Sequence, residues 1–279
     1  MASYHVALVQ PSGYPHSLAF QELAELLVFS LQDLGYDCTF AINRFDRARR
    51  NIVLGAQLLP EAWQAQLPGN TIIVNTEQLG SAQHAWTDPI VNLAQRLTVW
   101  DYNRYNIEFL QTQGARDVRR LELGFQPRLA RLNLVSEPDV DVLFYGSMGE
   151  RRKRLLAAIE QRGLRVRALF GVYGRERDAW IERSKLVLNC HHYETQIFEI
   201  VRVFYLLTNG VAVVGEVGPD THIEEPFKSA IAAAPYEEIP ARCAELVGDS
   251  PSRVALATLA ASRFRERSQA SLLKSCLAD

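Results

Sequence analysis

Short apolar runs alternate with segments of helical periodicity along the first half of the chain. The run 5–9 ends in a loop rich in turn-forming residues, after which Ser17 can cap a helix that reaches about Leu34 and stops at Gly35. Strands that alternate with helices in this way are typical of α/β domains with parallel sheets. The remaining apolar runs of this half predict strands at 38–42, 52–54, 71–74, 97–100 and 118–123.

The same pattern starts again in the second half. Residues 132–139 contain Pro138 and few large apolar side chains, so we interpret them as a linker. Beyond the linker, apolar runs predict strands at 141–145, 165–170, 186–188 and 211–214. We therefore expect an α/β protein with two Rossmann-like domains, residues 1–134 and 135–279, of which the second ends in a helical tail.

The composition is that of an ordinary globular protein. Of the 279 residues, 48% are hydrophobic and 22% are charged, and the net charge of −2 favours neither nucleic acid nor membrane surfaces. The four cysteines have no CxxC spacing, the N-terminus has no signal-peptide pattern, and no run of about 18 apolar residues occurs. We expect a cytoplasmic protein without a transmembrane segment or a nucleic-acid partner, and its oligomeric state stays open.

Two glycine-containing loops follow predicted strands of the second half. The first, with Gly146 and Ser147, opens a helix that begins with the basic residues Arg151, Arg152, Lys153 and Arg154, of which at least one could face the same anion. Helix N-termini bind anions, and cations placed there oppose the helix dipole unless an anion is bound. This loop predicts a phosphate site, with a plain turn beside a solvated basic face as the alternative. The second loop consists of Gly171, Val172, Tyr173 and Gly174. It could hold a flat ligand or be a tight turn with a packed tyrosine.

Polar groups also follow the predicted buried strand 186–188. Burying them without partners would carry a desolvation cost, so we expect them to line a ligand site at the carboxyl end of a parallel sheet. Glu199 and Arg202 lie on one face of an apolar helix, where an ion pair on the helix surface is the alternative to a ligand contact. Neighbouring strand residues point to opposite faces, so His191 and His192 are not expected to share a metal ion. The candidates in this segment are His191, Tyr193, Glu194, Phe198, Glu199 and Arg202.

The strand ends of the first half carry a second set of candidates. Histidine titrates near neutrality, so His16 is a candidate general base that Glu22 could orient, with a loop histidine of no catalytic task as the alternative. Sugar rings stack on aromatic faces, which makes Trp100 and Tyr102 candidates, with a packed, buried tryptophan as the alternative. The other candidates on this side are Ser12, Gly13, Tyr14 and Glu77.

Three motifs, taken in order, resemble those of GT-B glycosyltransferases of the group-1 and spore-maturation-type branch. The sequence RVFYLLTNGVAVV, 202–214, resembles their pattern R-V-F-E-A-L-A-C-G-x-x-V-V. LELGFQP, 121–127, resembles the turn L-x-x-G-x-x-P that ends their N-terminal domain, and APYEEI, 234–239, resembles the segment before their last helices. The resemblance covers the second half of the chain and, more loosely, the first.

This resemblance implies two Rossmann-like domains facing a cleft, with C-terminal helices packing back toward the first domain. It implies a glycosyltransferase, EC 2.4 type, that moves a sugar from a nucleoside diphosphate-sugar to an unknown acceptor such as a glycan, a protein or a small molecule. No cofactor and no metal ion are implied. His16, Glu22 and Glu194 would be catalytic; Gly146, Ser147, Arg151 and Lys153 would meet the diphosphate, residues 171–174 the base, and His191, Tyr193, Glu194, Phe198, Glu199 and Arg202 the rest of the donor.

One position departs from the family pattern. Tyr205 stands where those enzymes carry the glutamate that holds the donor ribose, so Glu194 and Glu199 are expected to take over that contact. A catalytically inactive nucleotide or nucleotide-sugar binding module of the same fold is therefore the alternative function. No G-x-G-x-x-G sequence follows the first strand, which counts against a dinucleotide-binding enzyme.

Overall fold

The computed structural model describes residues 2–80, 86–192 and 197–278. The chain divides into two compact units. The first unit consists of Met1–Gln126 together with Ser268–Asp279, and the second of Pro127–Arg267. Each unit is built on one parallel sheet, as the alternation of strands and helices predicts.

The first unit has a six-stranded sheet in the order β2-β1-β3-β4-β5-β6. Its four inner strands are buried on both faces, which is why they read as continuous apolar runs. Every strand predicted in this half overlaps an observed one. The strands are β1 Ser3–Leu8, β2 Asp37–Ile42, β3 Arg50–Leu54, β4 Ile72–Asn75, β5 Thr98–Asp101 and β6 Asp117–Arg120.

Helices of the first unit connect these strands. The predicted end of the first helix is confirmed, because Gly35 has a φ of 85° just beyond it. Its predicted start is wrong: Ser17 is buried inside a 3-10 helix, Pro15–Phe20, whose first residue is a proline with a fixed φ. The helices are α1 Gln21–Asp33, α2 Glu61–Gln64, α3 Thr87–Ala94 and α4 Arg104–Thr112.

The second unit has a five-stranded sheet in the order β11-β10-β9-β7-β8. The sequence predicted four of these strands and missed β11, a run of three alanines without large apolar side chains. The strands are β7 Val140–Tyr145, β8 Val166–Leu169, β9 Ser184–Asn189, β10 Val213–Glu216 and β11 Ala232–Ala234. The helices are α5 Glu150–Glu160, α6 Gly174–Glu182, α7 Ile200–Thr208, α8 Glu225–Lys228, α9 Ile239–Gly248 and α10 Ser250–Arg265.

The final helix, α11 Gln269–Leu277, belongs to the first unit. Gln269 is fully buried, accepts a hydrogen bond from the Gly124 N–H at 2.6 Å and donates one to the Glu122 carbonyl at 3.0 Å. Arg119 of β6 donates to the Cys276 carbonyl at 2.9 Å. The expected return of C-terminal helical structure to the first domain is thereby confirmed. Among the described residues, no helix combines the length and apolar character that crossing a membrane requires.

The strand orders fix where each sheet can bind a ligand. In the second unit the chain adds β8 on one side of β7 and then places β9 on the other, so the order reverses between β7 and β9. In the first unit the same reversal falls between β1 and β3. Ligands of open parallel sheets bind outside the carboxyl ends of the strands at such a reversal, because the loops diverge there and leave a crevice.

Candidate functional site

A buried arginine lies at the reversal point of the second unit. Arg152, in the first turn of α5, is only 2% exposed. Its guanidinium donates to the carbonyl oxygens of Ser147 at 2.9 Å and Cys190 at 2.6 Å, which bridges the loops that follow β7 and β9. It also donates to Oε1 of Glu199 at 2.8 Å. Arg152 therefore ties the two loops that flank the crevice and carries a positive charge beneath them.

Glu199 bridges Arg152 to a second arginine. Its Oε2 lies 2.7 Å from Nη1 of Arg202, one turn later at the start of α7, and the same guanidinium donates to the side-chain oxygen of Asn189. Burial would raise the pKa of Glu199, but the charges of Arg202 and Arg152 lower it below the usual value. Glu199 is thus an ionised carboxylate held between two guanidinium groups.

A second ion pair joins α5 to the end of β10. Nη1 of Arg151 donates to Oε2 of Glu216 at 2.7 Å, and the same oxygen accepts the His191 N–H at 2.9 Å. The Arg151 guanidinium also stacks 3.9 Å from the ring centre of Tyr236, whose hydroxyl donates to the Arg151 carbonyl. These contacts fix Arg151 at the carboxyl edge of the sheet. We call Arg151, Arg152, Arg202, Glu199 and Glu216 the arginine cluster.

The glycines of the loop after β7 lie close to this cluster. Gly146 has a φ of 140°, and a Cβ at this position would lie 3.0 Å from Nη2 of Arg202. Gly149 is the last residue before α5, and its backbone lies against the His192 ring. Three guanidinium groups, those of Arg151, Arg152 and Arg202, surround two carboxylates at this edge, which leaves one net positive charge.

The side chain of His191 is buried and does not face a ligand at this edge. The side chain is 4% exposed, packs edge-on against Phe198 and has no hydrogen-bond partner for either ring nitrogen within the part of the chain that the structure describes. Burial lowers its pKa, so the ring is neutral at pH 7. Its backbone N–H, which is bonded to Glu216, is the part of His191 that shapes the cluster.

Not every residue predicted for the donor joins the cluster. Lys153 is exposed and paired with Glu150 at 2.7 Å, so it faces solvent. Phe198 is 1% exposed and packs against Gly215, so it belongs to the core and offers no surface to a ligand. The burial of Phe198 argues against it as a ligand contact, whereas the role of Lys153 stays a prediction. Tyr193 and Glu194 lie outside the described residues.

The second glycine loop follows β8, the strand next to β7. Gly171 and Gly174 have φ of 70° and 57°, and nothing lies within 4 Å of the place where their Cβ atoms would be. Tyr173 immediately precedes α6 and Val172 is partly exposed, so the loop has room for a flat ligand. The structure places this loop at the same edge as the arginines.

Several solved structures resemble the whole chain. HepE of Anabaena, in complex with UDP and glucose, superposes with a TM-score of 0.62 at 11% identity, covering 99% of this chain and 98% of HepE. AviGT4, a glycosyltransferase of avilamycin A biosynthesis, gives 0.59 at 11% identity over 99% and 96%. WaaG, a glycosyltransferase of lipopolysaccharide biosynthesis, gives 0.60 at 10% identity over 98% of both chains. The chain has the GT-B fold.

Sequence relatives add no activity to the GT-B assignment. No family model matches the chain. It is 26% identical over 179 residues to the uncharacterized protein L140 of Acanthamoeba polyphaga mimivirus, a match that covers 61% of this chain and 57% of L140. A second match, to the uncharacterized protein L138 of the same virus, is 34% identical over 76 residues and covers 26% of this chain and 9% of L138.

In the first unit of this GT-B chain, two of the predicted residues lie close together. The rings of Tyr14 and His16 meet edge-on with centres 5.1 Å apart. Burial raises the pKa of Tyr14, and the negative charge of Glu77 raises it further. Ser12 and Gly13 form the exposed turn before Tyr14, with a φ of 75° at Gly13. Glu22 is buried at the second position of α1.

Both aromatic residues predicted to stack on a sugar are buried. Trp100 is 0% exposed in the middle of the sheet, and Tyr102 is 6% exposed. Neither presents a ring face to a ligand, so their assignment to the acceptor side is corrected. Val99 and Trp100 point to opposite faces of β5 and are both 0% exposed, so both faces of this strand are covered, which favours the packed tryptophan.

A buried carboxyl lies between these aromatic residues, at a polar strand end where the sequence alone assigned it no role. Asp101 ends β5 and is 0% exposed, and its oxygens accept hydrogen bonds from the Asn75 side chain at 2.6 Å and the Asn103 N–H at 2.7 Å. Burial raises its pKa to about 7, against the opposing effect of these hydrogen bonds. Its position directly after an apolar run, at the carboxyl end of a strand, is the signal that could have found it.

Tyr205 faces away from the arginine cluster. Its hydroxyl donates to Oδ2 of Asp178 in α6 at 2.9 Å and lies 3.1 Å from Nε of Arg131. The side chain is 2% exposed. The residue that replaces the family glutamate therefore packs α7 against α6.

Proposed function

We propose that this chain is a glycosyltransferase that binds a nucleoside diphosphate-sugar in its second unit and transfers the sugar to an acceptor. One observation carries the proposal. Arg151, Arg152 and Arg202 gather at the carboxyl edge of the second sheet, where its strand order reverses. These guanidinium groups keep one net positive charge after pairing with Glu199 and Glu216, and together with the N-terminus of α5 they favour an anion such as a diphosphate. The GT-B neighbours, among them HepE with UDP and glucose, supply the chemical class.

The roles proposed for the residues follow from their contacts. The diphosphate would meet the glycine loop that opens α5 and the guanidinium groups, which would also stabilise the charge that develops on the diphosphate as the sugar is transferred. Glu199 would hold Arg152 and Arg202 in place before the donor binds. The loop 171–174 would take the nucleoside base. Because guanidinium groups can stabilise the negative charge on the departing diphosphate, we propose that transfer needs no metal ion.

Donor binding is the first test. A ligand that binds only the folded state raises its melting temperature, so we expect stabilisation by UDP or another nucleoside diphosphate and none by NAD(P). Arg202→Gln should weaken binding about 10- to 100-fold, because a charge-assisted hydrogen bond contributes about 1.5–3 kcal/mol. Arg154→Gln, an exposed arginine of the same helix as Arg151, is the matched control. Stabilisation by NAD(P) alone would overturn the proposal.

Turnover separates the enzyme from a second candidate function. Tyr205 in place of the family glutamate favours a nucleotide-sugar binding module without catalysis. Release of UDP from UDP-glucose, measured with and without EDTA, supports an enzyme, and release that survives EDTA supports metal-independent transfer. Tight UDP binding with no release of UDP, across many acceptors, would instead support the binding module.

A further inference from the structure

The first unit contains a cavity between the loop before β3 and the segment that leads into β4. Its volume is about 190 Å³, whereas an apolar cavity of about 150 Å³ already holds a benzene molecule. One six-membered ring with a short substituent therefore fits this cavity. Most of the lining is apolar and comes from Phe45, Leu59, Trp63, Leu67 and Pro68.

The cavity lies away from the strand ends at which such sheets bind substrates. Asn51 is the second residue of β3, and Leu67 and Pro68 precede β4, so this lining lies toward the amino ends of both strands. Open parallel sheets hold their ligands outside the carboxyl ends. Tyr14 and Glu77 follow the carboxyl ends of β1 and β4. The cavity is thus separate from the residues predicted for the acceptor.

Hydrogen bonds hold both walls of the cavity without a ligand. Asn51 is 4% exposed, accepts the Asp46 N–H at 3.0 Å and donates to the Asp46 carbonyl at 2.8 Å. In the opposite wall, Arg96 donates to the carbonyl oxygens of Leu67 at 3.1 Å and Gln64 at 2.6 Å. A cavity that is formed in advance loses little conformational entropy when a ligand enters it.

One charge at the cavity has no partner. The Asp46 carboxylate accepts hydrogen bonds from the Ala48 N–H at 2.8 Å and from Nη1 of Arg49 at 2.7 Å. These bonds lower the pKa of Asp46, so it is ionised and Arg49 already matches its charge. The exposed Arg47 makes no side-chain hydrogen bond or ion pair with any residue of 2–80, 86–192 or 197–278. Asp46 and Arg47 are the charged residues of the lining, which therefore keeps one positive charge.

The size of the cavity favours a small molecule over a protein segment. Nine residues line it, whereas a stable protein interface takes about 20–30 residues from each partner. Trp63 is 60% exposed, so much of its indole ring is available to a second ring. The cavity thus combines apolar walls, an accessible aromatic surface and one guanidinium group.

We propose that this cavity is a second ligand site of the chain, which binds a small carboxylic acid that carries one aromatic or branched aliphatic group. The apolar group fills the cavity against Trp63 and Phe45, and the carboxylate pairs with the guanidinium of Arg47. All the groups that define the site belong to the first unit. The site is therefore independent of donor binding in the second unit.

Titration of the full chain with 3-phenylpropionate tests the site. The chain has four tryptophans, and comparison with Trp63→Phe assigns the indole N–H signal of Trp63 in the ¹H–¹⁵N spectrum. This signal should shift saturably, with a Kd of about 1 mM or lower. The alcohol 3-phenyl-1-propanol and the cation 3-phenylpropylamine keep the ring without the carboxylate. Both should bind at least about 10-fold more weakly, because neither forms a charge-assisted bond with Arg47.

Two variants separate the charge from the apolar wall. Arg47→Gln should raise the Kd of 3-phenylpropionate about 10-fold and remove the preference over the alcohol. Arg104→Gln, which changes another exposed arginine of the first unit, is the matched control and should bind within twofold of the wild type. Trp63→Ala, a change at an exposed position that leaves the core intact, should raise the Kd about fivefold in calorimetric titration.

The outcomes that contradict the proposal are distinct. A Trp63 signal that does not shift, or that shifts without saturation, would overturn the site itself. Equal affinity for the acid and the amine would overturn the assigned class of ligand. An Arg47→Gln variant that still prefers the acid over the alcohol would overturn the role of Arg47.

Discussion

Replacing Asp101 by asparagine should change how the stability of the first unit depends on pH. The carboxyl is 0% exposed, and its pKa in the folded protein is about 7. In an unfolded chain an aspartate titrates near pH 3.9. Between these two values the folded protein binds one proton more than the unfolded chain does. The free energy of unfolding therefore falls as pH rises through this window, and the contribution is fully present only below about pH 4.

The size of this effect follows from the shift. About three pKa units at about 1.36 kcal/mol each correspond to about 4 kcal/mol between pH 4 and pH 7. Asparagine has the same shape and no proton to bind, so the Asp101→Asn variant should lose this dependence. As pH rises through the window, the free energy of unfolding of the wild type should fall by about 1.4 kcal/mol per pH unit relative to that of the variant. The substitution also changes the free energy of unfolding by an amount that does not depend on pH. The prediction therefore concerns the slope of the free energy of unfolding against pH.

Urea unfolding from pH 4.5 to 7.5, followed by tryptophan fluorescence, measures the slope. Three of the four tryptophans, Trp63, Trp86 and Trp100, belong to the first unit, so the signal reports mainly on the unit that contains Asp101. Glu108→Gln, which removes an exposed carboxyl from the same unit, should follow the wild type. Parallel curves for wild type and Asp101→Asn across this range would refute the reasoning.

Three other substitutions test the second unit. Glu199→Gln should lower the free energy of unfolding by about 2 kcal/mol in urea titrations, because Arg152 and Arg202 lose the charge between them. Tyr205→Phe should cost about 1–2 kcal/mol by the same assay, and calorimetric titration should show UDP affinity within twofold of wild type. A larger change in affinity would place position 205 at the donor. Gly146→Ala should weaken UDP binding in calorimetry, since its Cβ would meet Arg202 at 3.0 Å on a backbone of positive φ, and unchanged affinity would remove this loop from the site.

The sequence predicted the architecture because parallel strands are buried on both faces. Such strands appear as short apolar runs, and the alternation of these runs with helices recovers every strand except β11. Three alanines carry too little apolar surface to stand out from a loop or a helix. The start of α1 was mistaken for a different reason. A 3-10 helix that begins at a proline precedes α1, and Ser17 lies buried within it instead of capping α1.

In the candidate site, it was harder to predict which of several adjacent helix residues faces the site than to predict which strand ends form it. The sequence shows four basic residues, 151–154, and the family resemblance points to Arg151 and Lys153 for the diphosphate, although Arg152 is the buried one. The signal was available, because the buried positions of α5 are 152, 155, 156 and 159, the spacing of one helix face. An arginine in that apolar stripe must find partners, and it finds two carbonyl groups and a carboxylate.

Glu199 cannot stand in for the family glutamate at position 205 by geometry alone. Six helical residues correspond to a rise of about 9 Å and a rotation of about 240°, so side chains at the two positions occupy different space. Position 205 is filled by a tyrosine bonded to Asp178, deep between α6 and α7. Glu199 instead precedes the first turn of α7, where it is bonded to Arg152 and Arg202. Its carboxylate therefore sets the positions of Arg152 and Arg202, the cations of the proposed diphosphate site, and in that proposal other groups at the carboxyl edge of this sheet would contact the ribose.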